Sequence, residues 1–205
     1  MIISVALQLL LIALFVVSNY AFIHEQRRAR IIETRSRRDD DDDDKGSHGG
    51  QHLVNAGNQL IGGADASACP KLLKEAGQSL IGIGNYWTTN WEVVTYEADD
   101  AAKTLHALSQ LMQQTNQEQL AKLYGASSGE LRAIASIVGC ESIGPPSAVP
   151  NLLGLSQRLQ EMARYVEEAC VSSDDDDSSS IEDGTAFGTA LRSASSSIQA
   201  LVDEY

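Results

Sequence analysis

Apolar positions recur along this chain at helical spacing. Trp91, Val94, Ala98, Ala101, Leu105, Leu108 and Met112 are separated alternately by three and four residues, with Glu97, Asp99, Lys103 and Gln110 between them. Such a stripe falls on one face of a helix and predicts one over residues 90–114. Leu152, Leu155, Leu159, Met162 and Val166 repeat the pattern after Pro150. Proline suits the first turn of a helix, where its missing N–H would have no partner anyway. A third stripe runs through Phe187, Leu191, Ala194, Ile198 and Leu201, with Ser179 and Glu182 spaced as a capping box ahead of it.

Two shorter helices are expected in the middle of the chain. Thr115 with Glu118 precedes Leu120 and Leu123, and Ser127 with Glu130 precedes Leu131, Ile134 and Val138. In each pair the hydroxyl and the carboxylate can accept from the first unpaired N–H groups. Gly125 and Gly139 provide residues that tolerate the left-handed backbone closing a helix.

An internal repeat precedes these stripes. Leu53, Ala56, Gly57, Leu60, Ile61 and Gly62 recur twenty positions later as Leu73, Ala76, Gly77, Leu80, Ile81 and Gly82. A glycine inside a helix costs about 1 kcal/mol relative to alanine, so the repeat needs an offsetting gain. Close helix packing is one such gain; a mobile amphipathic hairpin open to partners is the other reading. No segment alternates at period two over a strand's length. The expected fold class is therefore all-α: an antiparallel bundle of four to six helices over 51–205.

Charge divides the chain. Residues 46–205 hold 8 basic and 20 acidic side chains, a balance of −12, out of −13 for all 205 residues. So acidic a surface argues against a nucleic-acid partner, whose phosphates are met by Lys and Arg. Ahead of it, Arg27, Arg28, Arg30, Arg35, Arg37 and Arg38 give way to an unbroken run from Asp39 to Asp44. Like-charge blocks of this length read as a solvated linker over 24–50.

Residues 1–23 carry no charge, and Val5 to Val17 is apolar except for Gln8. As a helix rising ~1.5 Å per residue, this stretch reaches ~34 Å, enough for a hydrocarbon core of ~30 Å. A retained anchor followed directly by six arginines is expected to leave the C-terminal side in the cytoplasm, as a single-pass protein. The alternative is a cleaved secretory signal, with Val16-Val17-Ser18 as the small residues at its end. In that case Arg35-Ser36-Arg37-Arg38 resembles a furin-type processing site, and Asp41 to Lys45 resembles the enteropeptidase recognition sequence. Arg38 and Lys45 are then the expected points of release for an extracellular domain.

Candidate chemistry is sparse. His48 and His52 lie four apart, so a helix would present them on one face as two metal ligands. No cysteine or carboxylate stands near them in sequence to complete a site, and no metal or cofactor is expected. His106 falls in the longest predicted helix, on a boundary or solvent-facing position. Cys69, Cys140 and Cys170 are separated by 71 and 30 residues, which excludes a C-x-x-C motif; one pair could form a disulfide in an oxidising compartment. Tyr86, Trp87 and Trp91 form the one aromatic cluster, either a core anchor or, if exposed, a partner-binding hot spot. No phosphate-loop, dinucleotide, H-E-x-x-H or G-x-S-x-G pattern occurs. The expected function is a non-enzymatic helical interaction or assembly module, held at a membrane by residues 1–23 and engaging a protein partner or itself; the alternative is a secreted helical-bundle proprotein.

Overall fold

The computed structural model describes residues 48–205 except 139–144 and 173–177. The expected hydrophobic helix, the charged linker up to residue 47, Arg38, Lys45 and Cys140 lie outside the described residues. Within them the chain is all-helical, with six α-helices and no strand. These are α1 His48–Gly63, α2 Pro70–Tyr86, α3 Trp91–Gln114, α4 Glu118–Val138, α5 Val149–Ser172 and α6 Ser178–Asp203. Short 3₁₀ turns follow α1 and precede α5. The first helix starts at His48, inside the stretch expected to be linker.

The three long stripes are core. Val94, Ala98, Ala101, Leu105, Leu108 and Met112 are buried in α3, Leu152, Leu155, Leu159 and Met162 in α5, and Phe187, Leu191, Ala194, Ile198 and Leu201 in α6. Asn90 opens α3, its side chain accepting from the Val93 N–H at 3.3 Å.

The two short helices expected in the middle are one continuous helix, α4, and the reason lies in where two hydroxyls donate. Thr115 closes α3 and does not start α4, for its Oγ1 donates to the carbonyls of Leu111 and Met112 at 3.2 Å each. Asn116 then takes a left-handed φ of 59°. Its N–H bonds Gln113 O, while the Gln117 N–H reaches Met112 O at 2.8 Å, which is the Schellman closure. Further on, Ser127 Oγ donates back to Leu123 O at 2.9 Å inside the helix, so it caps nothing. Gly125 does not stop the helix, because its bare Cα lies against Ser109 of α3.

Among the described residues, each helix packs on the one before and the one after it, and α6 returns to α1. Neighbours run antiparallel, including the last pair, in which Gly49 lies against Leu201 and Gly63 against Ala190. The closest pairings fall within three hairpins, each sealed by small residues. In α1/α2, a Cβ on Gly57 would sit 2.4 Å from Gly77 O, and one on Gly77 would sit 2.7 Å from Gly57 O. The twenty-residue repeat is thus a reciprocal backbone contact, with Ile81 covering Gly57 and Ile61 covering Gly77. In α3/α4, Ser109 Oγ donates to Ala121 O at 2.6 Å and Ser128 Oγ to Ala102 O at 2.7 Å. In α5/α6, Ser156 and Ser195 donate to each other's carbonyls at 3.0 and 2.8 Å. Small side chains let the backbones approach, and each buried hydroxyl finds an acceptor across the seam.

Candidate functional site

Three places in this fold hold groups that could do chemistry or recognise a partner: the axis of the ring, the cysteine-bearing end, and the end where α1 begins and α6 finishes.

Side chains from all six helices meet on the axis, among them Leu60, Leu80, Leu105, Leu131, Met162 and Leu191. They leave a void of about 10 Å³, walled by apolar surface. That is room for one water-sized sphere, and such walls give a water no hydrogen-bond partner. Tyr124 of α4 also reaches this wall. Burial, with a smaller electrostatic contribution from nearby Cys69, raises its phenol far above the ordinary value of 10.0. The neutral phenol belongs to the fold, because an ionised one would lose its hydration there.

Cys69 stands at the start of α2 and Cys170 in the last turn of α5, so both fall at the same end of the ring. Both are half-buried, and α2 and α5 are not neighbouring helices. Cys170 lies against Gly184 of α6, where a Cβ would collide with its sulfur. His106 is exposed on α3 and accepts from the Gln110 amide at 3.2 Å.

The opposite end gathers the aromatic residues. Trp87, at the α2/α3 corner, is 1% exposed, and Tyr86 and Trp91 are half-buried against the core. The two indoles meet edge to face, centroids 6.0 Å apart at 72°. The Trp87 Nε1–H donates to Tyr205 Oη at 3.3 Å, and Tyr205 itself is 53% exposed. Trp87 is therefore a core anchor, and the polar edge of the cluster is carried by Tyr205.

Beside it, His52 Nε2 donates to Glu204 Oε1 at 2.9 Å. A Cβ on Gly49 would meet Leu201, Glu204 and Trp87 within 4 Å, so the first turn of α1, the last turn of α6 and the α2/α3 corner converge. Neither Glu204 nor Tyr205 stands out in the sequence, because each partner lies more than a hundred residues away and no local spacing connects them. No protein-family model matches this chain, and no curated protein or solved structure does either.

Proposed function

We propose that this protein is a non-enzymatic helical interaction module, attached to a membrane through residues 1–23 with its bundle on the cytoplasmic side. The observation that carries this reading is the filled interior. With only about 10 Å³ left on the axis, the domain meets other molecules through its outer surface. That surface is polar and acidic. Six basic side chains, Lys74, Lys103, Lys122, Arg158, Arg164 and Arg192, each already face a carboxylate. Leu111 and Tyr205 are the exposed large hydrophobic side chains among the described residues. A partner of matching chemistry presents basic side chains, and its association weakens as salt rises.

Among the described residues no helix is long and apolar enough to cross a membrane, so attachment falls to the uncharged N-terminal stretch. Fractionation of cells tests this. Full-length protein that stays in the membrane pellet after carbonate and high salt, with the bundle accessible only from the cytoplasmic side, is the expected outcome. Release by carbonate, or a mature chain beginning after Arg38 or Lys45, overturns it. The second result would favour the secreted proprotein, a reading helped by one structural fact: α1 begins at His48, so either cleavage leaves all six helices whole.

A further inference from the structure

Charge is missing from one side of this acidic bundle. Residues 49–64 and 184–202, which make up nearly all of α1 and most of α6, hold no Asp, Glu or Lys and a single Arg, Arg192, while every one of α2 to α5 carries Asp or Glu. The two helices are neighbours in the ring, so their outer faces form one surface. Exposed on it are Gln51, Asn55 and Asn58 from α1 and Ala186, Thr189 and Ser196 from α6. Among the described residues, charge stands at its margins: Asp65 and Asp183 at one end, Asp203 and Glu204 at the other, and Arg192 on the α5 side, where Glu167 holds it.

We propose that this face is where two copies of the chain associate as a symmetric pair. The inference deepens the reading of the bundle as an interaction module and rests on it. Residues 46–205 carry a balance of −12, so two copies brought together through their acidic sides repel within a Debye length of ~8–10 Å. Meeting through α1 and α6 keeps the carboxylates of both copies at the rim, where water screens them.

The polar groups of this face are in part already satisfied, which lowers the cost of covering them. Thr189 Oγ1 donates to Thr185 O at 2.8 Å, Ser196 Oγ to Arg192 O at 3.0 Å, and the Gln51 side-chain amide to Asn55 Oδ1 at 3.0 Å. Donors bonded inside the face lose little when water leaves it. The short side chains of α6 let a second helix come close, as Ser156 and Ser195 do within the bundle.

The size of the face sets the strength. The sixteen residues of α1 run ~24 Å, and two adjacent helices of ~10 Å diameter are ~20 Å across, which gives about 500 Å² on each copy. A pair then buries about 1,000 Å², at the threshold of a specific interface, so the affinity is micromolar rather than nanomolar.

The test is sedimentation equilibrium of the full chain in a non-ionic detergent, at protein concentrations from about 1 to 100 µM. A reversible monomer–dimer equilibrium is expected, and it should tighten as salt rises, because screening removes the residual repulsion. Association with a basic partner changes in the opposite direction with salt, so the two readings fail separately. Asn58→Glu and Thr189→Glu place like charges into the face and should each weaken dimerisation by about 10-fold or more, with circular dichroism and thermal midpoint unchanged. Gln119→Glu adds the same charge on α4, outside the face, and should leave dimerisation as it is. A chain that stays monomeric at 100 µM in high salt overturns the proposal. So does a dimer indifferent to both α1 and α6 substitutions, or one weakened equally by Gln119→Glu.

Discussion

At the scale of single residues, two glycines that look alike in sequence have opposite roles. Gly57 faces backbone, with Gly77 O only 2.4 Å from the place of a Cβ, whereas a Cβ on Gly129 would meet nothing within 4 Å. Gly57→Ala is therefore expected to destabilise by about 1–3 kcal/mol through overpacking. Gly129→Ala should stabilise by about 0.5–1 kcal/mol through helix propensity. Denaturant midpoints of the two variants check both signs. Tyr124 gives a second expectation. Its folded value is raised above the ordinary 10.0, so its contribution is complete below pH 10 and is lost as pH rises further, because the unfolded chain releases that proton first. Between pH 10 and 12, Tyr124→Phe should lose less stability than the parent, by up to about 1.4 kcal/mol per pH unit. Parallel midpoints across that range would refute the assignment.

At the scale of elements, a helix pair is held by what its seam allows. Ser156 and Ser195 share two hydroxyl-to-carbonyl bonds and a 3.0 Å contact between their oxygens. Either serine changed to alanine should cost about 0.5–1.5 kcal/mol. The double variant should cost less than the two single changes together, since the contact between the two hydroxyls is lost in either single variant and is counted only once in the double. A double-mutant cycle in urea reads this directly. The apolar stripes of α3, α5 and α6 were legible in the sequence because helical periodicity is a local property. The break expected within α4 was not, since the capping pattern at Ser127 is equally compatible with a hydroxyl bonded back to Leu123 inside one helix. Thr115 likewise fits the end of α3 as well as the start of α4, and the left-handed Asn116 decides between them.

At the scale of the whole molecule, ring closure makes each helix depend on two neighbours. Ending the chain after Ser172 removes α6 and uncovers the inner faces of α1 and α5. The shortened chain is expected to lose its near-ultraviolet circular dichroism and to bind a hydrophobic dye, while the parent unfolds in one cooperative transition. A truncated chain with an intact cooperative transition would show that five helices suffice.

What the residues determined alone is the helical class, the inward stripes and the acidic surface, because spacing, propensity and charge act over a few positions at a time. Tertiary structure decided which helices are neighbours, and every site follows from that choice. The repeat became a backbone contact only when α1 met α2. Trp87 became a core anchor only once the ring covered it. His52 acquired its carboxylate when the last turn of the chain returned to the first helix, a meeting across 152 residues that no local pattern encodes.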